Sequence, residues 1–262
     1  MAKSSRSRRT FFTKPLIRDS LAHLPAAVDY PDALDFRKYL EASLHQNSSK
    51  ARWRYAKYIA NRFSVNGRMN LDLARALSKF GDSPTGREIL YFELLQSAPV
   101  LHEAASLWLA ALPRTEQGSS RTALVSFLNE RLGGRDADEV ATAVVTAFKQ
   151  CGKMISPKIG YYSPVWKEPP LEVFLYVLAK LYPEATMVRV DLFAGLPILR
   201  AMLWPRPDVD SLLRSAEREG HVSKISELDQ YHQFTLAGSG SDRMERLLAQ
   251  EQAMIPGEEA IR

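Results

Sequence analysis

Apolar residues recur along this chain mostly at spacings of three and four, the period of an amphipathic helix. "RTFFTKPLIRDSLAHLPAA" predicts a first short helix. In "YPDALDFRKYLEASLHQN", Pro31 and Asp32 lead into Leu34, Phe36, Tyr39 and Leu40, a start signal followed by a helical stripe. Asn47 and Ser48 are expected to close that helix and to cap the next, which runs from Ser48 to Phe63. "GRMNLDLARALSKFG" predicts a helix ending at Gly81. "SPTGREILYFELLQSAPVLHEAASLWLAALP" predicts two central helices with a break at Pro99. "TEQGSSRTALVSFLNERLGG" and "RDADEVATAVVTAFKQCGK" predict two more, the second capped by Asp136 and Asp138.

The period changes in "MISPKIGYYSPVW", which is short, β-prone and broken by Pro157, Gly160 and Pro164. Two helices followed by an extended segment form the tail of a winged-helix pattern. A second such pattern follows: "EPPLEVFLYVLAKLYPE", "VDLFAGLPILRAMLWP" (one helix, strained by Gly195 and Pro197) and "DVDSLLRSAEREG", then a hairpin in "HVSKISELDQYHQFTLAG". "SDRMERLLAQEQAM" closes as a helix. The expected fold is mainly α: a multi-helix protein with helix-turn-helix or winged-helix-like units and short β-hairpins. Residues 1–9 are expected as a disordered basic arm, 10–165 as a helical domain, 166–254 as a winged-helix-like domain and 255–262 as a frayed tail. The boundary is placed at the proline cluster Pro164, Pro169 and Pro170.

Composition narrows the function classes. The chain has 262 residues, 45% hydrophobic, with a net charge of +5 and one cysteine, Cys151. Its longest apolar stretches, such as "LEVFLYVLA", are about half a bilayer span, so no membrane partner is expected. With no signal peptide in the basic N-terminus, a cytoplasmic protein is the expectation. The charge is uneven: residues 1–90 hold 17 Lys and Arg against 8 Asp and Glu, whereas residues 91–262 hold 18 against 22. A basic first third suggests a polyanionic partner; the alternative is a basic tail that aids solubility.

Catalytic motifs are thin. Phosphate-binding glycine loops and the metalloprotease pattern HExxH do not occur, and the five histidines are scattered. His102 and Cys151 read as packed core residues, and the acid pairs as caps and turns. No catalytic residue, metal or cofactor is expected, and the chain reads as a non-enzyme.

Binding chemistry concentrates in Ser48 to Arg68, where six of twenty-one residues are basic. At 100° per residue, Lys50, Arg54, Lys57 and Asn61 fall on one strip, opposite Ala56, Ile59 and Phe63. Such cations displace counterions from nucleic-acid phosphates. Arg52 and Arg62 lie elsewhere on the wheel and reach sideways, Asn61 suits a base edge or phosphate, and Trp53 flanks the strip as a stacking platform. Arg6, Arg8 and Arg9 in the arm add to the same surface. Lys224 and His232 are weaker candidates for a wing contact. The alternative is a solvated helix face with ordinary lysines.

Several segments together resemble the BrxA family of bacterial BREX phage-exclusion systems: "FFTKPLIRDSLAHL", "SSKARWRYAKYIANRF", "REILYFELLQSAPVLHEAASLWLAAL", "SSRTALVSFLNERL" and "VVTAFKQCGKM". The resemblance covers residues 10 to 165. It implies a helical protein of winged-helix character that binds double-stranded DNA beside the other proteins of a defence locus, and it brings no catalytic motif. A protein-interaction scaffold and an RNA-binding or transcriptional regulatory module remain the alternatives, because basic helices serve all of these.

Overall fold

The computed structural model describes residues 12–113, 118–134, 136–205, 208–226 and 232–249. The expected arm at 1–9, the tail at 255–262 and the acid pair Glu227 and Asp229 lie outside the described residues. The protein is mainly α, as its hydrophobic period requires.

Short helix α1 (Ile17–His23) and a 3-10 turn (Leu24–Val28) precede α2 (Ala33–Ser43). Asp32 caps α2, its carboxylate accepting from the Leu34 and Asp35 amides at 2.8 and 3.3 Å. The helix stops at Ser43, four residues before the expected Asn47, because Leu44 turns extended and buries itself in the core. Helix α3 (Ser49–Arg62) is followed by a two-strand hairpin, β1 (Ser64–Val65) and β2 (Arg68–Met69). Its turn is Asn66-Gly67, both at positive φ (52° and 77°), the conformation that twists two strands into a tight hairpin.

Helix α4 (Leu71–Phe80) is capped by Asn70, and α5 (Pro84–Ser97) by Ser83. The chain breaks at Ala98 and resumes as α6 (Pro99–Glu103), which widens into a π-helical stretch at Ala104–Trp108. Next come β3 (Ser119–Ser120), α7 (Arg121–Leu132), α8 (Ala137–Gln150), β4 (Met154–Ile155) and β5 (Tyr161–Pro164). Asp136 does not cap α8: it takes a left-handed φ of 56° and makes no cap bond, while Asp138 pairs with Arg121 at 3.3 Å. The acids of that first turn still suit the helix dipole.

The second half runs α9 (Leu171–Leu181), β6 (Met187–Arg189), α10 (Val190–Ala194), α11 (Pro197–Ala201), α12 (Asp208–Arg218), β7 (Val222–Ser226), β8 (Gln233–Leu236) and α13 (Gly240–Ala249). The single helix expected over 190–204 is two, because Pro197 starts a new one after extended Leu196. Both halves repeat one order: a strand, helices, then two strands. Both antiparallel sheets place the last strand in the middle, β3-β5-β4 and β6-β8-β7.

Helices α5 and α9 pack together at the centre of one continuous core that extends on both sides of residue 166. Phe92 meets Tyr176 edge-on, and Tyr91 donates to the Ala201 carbonyl at 3.1 Å. Helix α13 sits so close to α9 that a Cβ on Gly240 would lie 2.5 Å from the Ala179 carbonyl oxygen, so only glycine fits.

His221 is fully buried at the start of β7, and neither ring nitrogen has a hydrogen-bond partner among the described residues. Burial first, then Arg246 and Arg243, lower its pKa to about 4. The folded state therefore holds a neutral ring that the unfolded chain would protonate below its ordinary value of 6.5. That contribution is intact above pH 6.5 and is lost as pH falls toward 4. Allowing for solvent screening, the expected loss is about 2 kcal/mol. Urea midpoints measured across that range should fall more steeply for the wild type than for His221→Phe.

Candidate nucleic-acid interface

No Asp or Glu occurs between Glu41 and Asp72, and α3 lies in the middle of this acid-free stretch. Ser48 starts the helix by accepting from the Ala51 amide at 3.1 Å. Ala56, Ile59 and Ala60 are buried against the core, with Phe63 just beyond them. That anchoring fixes the rotation of the helix and turns the opposite face to solvent.

Lys50, Arg54, Lys57 and Asn61 are all exposed on that face. Among the described residues none of the three cations forms an ion pair, so their charge is not neutralised locally. Trp53 is 45% exposed, and the Lys57 ammonium lies 5.2 Å from its ring centroid. The Arg54 guanidinium lies 5.8 Å from the Tyr55 ring, which packs partly against the core.

Two residues expected to reach sideways to the same partner are tied up instead. Arg52 is half-buried and donates to the Gln46 carbonyl at 2.8 Å, which pins the turn before the helix. Arg62 points away, donating to the Lys14 and Pro15 carbonyls at 2.7 Å each while its guanidinium covers Phe12. Burial lowers its pKa to about 10. It clamps the N-terminal segment instead of facing solvent. Arg62→Met should cost about 2 kcal/mol in urea unfolding, and Arg62→Lys should not restore it, because one ammonium does not reproduce the forked pair of bonds. Arg6, Arg8 and Arg9 lie outside the described residues. Lys224 is exposed on β7, and His232 lies 3.7 Å from Asp210.

Beside the strip the structure opens a groove of about 480 Å³. Lys57, Tyr58 and Asn61 of α3 stand on one side, and Asn70, Glu93 and Gln96 on the other. Glu93 is 8% exposed and accepts from the Tyr176 hydroxyl at 2.7 Å. Burial raises its pKa, opposed by Lys180 and by hydrogen bonds from Tyr176 and Asn70. Sequence reading missed this groove; the available signal was a lone carboxylate inside the apolar run "ILYFELL".

Among the described residues no three His, Cys, Asp or Glu side chains converge as a cation site. Cys151 is buried, and burial pushes its thiol up to about 12, which makes it inert. No helix among the described residues is long and apolar enough to cross a membrane.

No protein-family model and no curated protein matches the chain. Among solved structures it is similar to a magnesium ion-bound SspB, with 14% identity over 90% of this chain and 87% of that one, at a TM-score of 0.59. A second SspB crystal structure gives 13% identity over 92% and 86%, also at 0.59. At this identity the likeness concerns the fold alone: the arrangement of helices and small sheets described above is shared with SspB over most of both chains.

Proposed function

We propose that this protein is a non-enzymatic DNA-binding accessory component of a BREX-like phage-defence system, acting in the cytoplasm beside the system's other proteins. One observation carries the reading: an acid-free helix, rotationally fixed by its buried face, holds Lys50, Arg54 and Lys57 in solvent with no carboxylate paired to them among the described residues. The strip is about 16 Å long and its three cations span about 10 Å of it, enough to meet neighbouring phosphates of a duplex. Asn61 at its end donates to a base edge or to a further phosphate.

The repeated order of strand, helices and hairpin, with the last strand central, supports two winged-helix-like units. In the first, the helix α8 that precedes the hairpin begins with Asp138 and Glu139, and acids there oppose phosphate. That favours α3 as the phosphate contact. The resemblance of residues 10 to 165 to the BrxA family supplies the defence context.

The test is anisotropy titration of duplex DNA, single-stranded DNA and duplex RNA across a salt series. Duplex DNA binding should weaken by about three decades per decade of salt from the strip alone. A salt-independent affinity, or a preference for RNA, sinks the reading. A second reading, a docking scaffold in the defence complex, is favoured by Ile155 and Ile159 on the β4–β5 hairpin, 56% and 100% exposed. Co-purification of a partner that survives nuclease and high salt would select it.

A further inference from the structure

The groove beside α3 has the chemistry of a nucleotide site. Its volume of about 480 Å³ lies within the range of small-ligand pockets, about 300–1,000 Å³. Inorganic phosphate would leave most of it empty. An apolar ligand would cover the exposed Asn61 and Gln96 amides without hydrogen-bonding them, which costs free energy for each group. The lining suits a base carrying a phosphate: an aromatic wall at Tyr58, amide and carboxyl groups at Asn70, Glu93 and Gln96, and a cation and an amide at Lys57 and Asn61. Lys57 and Asn61 belong to the solvent-facing strip and to the groove at once, so a strand running along α3 passes the mouth.

Building on the duplex reading, we propose that the groove takes one unpaired nucleotide of the bound DNA. Its base edge faces Glu93, Asn70 and Gln96, its ring lies beside Tyr58, and its phosphate sits at Lys57 and Asn61. Both amides and the carboxyl group can meet the mixed donors and acceptors of a base edge. Glu93 already receives the Tyr176 hydroxyl at 2.7 Å, which orients its carboxyl group. Arg62 also borders the groove, but its guanidinium is held by the Lys14 and Pro15 carbonyls. It therefore shapes the wall without being available to the phosphate.

The test uses the full chain and the four deoxynucleoside monophosphates, with inorganic phosphate as comparison, followed by ligand-observed NMR. Saturable binding is expected, with about fivefold or more between the best and worst base, as one good edge pair provides. Gln96→Trp, at an exposed position on the mouth, should abolish the signal. Glu93→Gln should change which base binds best, because it exchanges an acceptor for a donor. If buried Glu93→Gln does not fold, Gln96→Trp still decides. Signals no stronger than for phosphate, equal for all four bases, or unchanged in Gln96→Trp overturn the inference. Duplex affinity and its salt slope are measured in parallel, so failure of the nucleotide site is distinguished from failure of the duplex reading.

Discussion

Alanine at Lys50, Arg54 and Lys57 together is expected to cut duplex affinity about a hundredfold or more near 0.1 M salt. The reasoning rests on counterions. Each cation that meets a phosphate releases about 0.9 of a condensed ion, so removing three should flatten the slope of log K against log salt by about three. The wild-type and variant lines should therefore converge toward 1 M salt, where release gains little. Stability should change little, because all three side chains are exposed and form no ion pair among the described residues. Parallel lines at two affinities would mean that the substitutions disturbed the fold or another contact. Coincident lines would remove α3 from the interface. Trp53→Ala should have a smaller effect on duplex than on single strands, since its half-exposed ring offers stacking and only borders the phosphate strip.

The strip was legible because its causes are local. Ser48 caps the helix, the buried positions follow a 100° period, and no acid interrupts the run from Leu44 to Leu71. The fate of Arg62 was not legible. Its bonds go to carbonyls 47 and 48 residues away, and nothing in a helical wheel brings Lys14 and Pro15 beside it. The β1–β2 hairpin carried an audible signal in Asn66-Gly67, but two-residue strands are too short to show alternation. The same brevity hid β3 and β6, which matter because they complete the two sheets. The groove needed α3, the Asn70 cap and α5 folded against one another, so only the odd placement of Glu93 pointed to it.

The largest expected loss of stability comes from the half-buried carboxylate that partners a buried lysine. Glu88 accepts from the Lys153 ammonium and from the Trp204 indole, the latter at 3.0 Å. Lys153 is 4% exposed at its side chain and also donates to the Met202 carbonyl at 2.8 Å. Burial lowers its pKa, and Glu88 works against that shift. Glu88→Ala would leave an ammonium in the core with one carbonyl and no counter-charge, and would strip the indole of its acceptor. The expected cost is about 3–5 kcal/mol, a large share of the stability of a domain. Glu88→Leu combined with Lys153→Met should recover much of it, because the charge is then removed together with its partner. The pair lies before residue 166, but its bonds to Met202 and Trp204 cross that position and tie α5 and the β4 region to the second half, so its loss should move the unfolding of both halves together. Urea unfolding followed in parallel by tryptophan emission and far-ultraviolet circular dichroism checks this: the two curves should coincide and shift to lower midpoint in Glu88→Ala. A variant whose two curves separate would show halves that unfold independently. One that unfolds at the wild-type midpoint would show that water, not Glu88, satisfies Lys153.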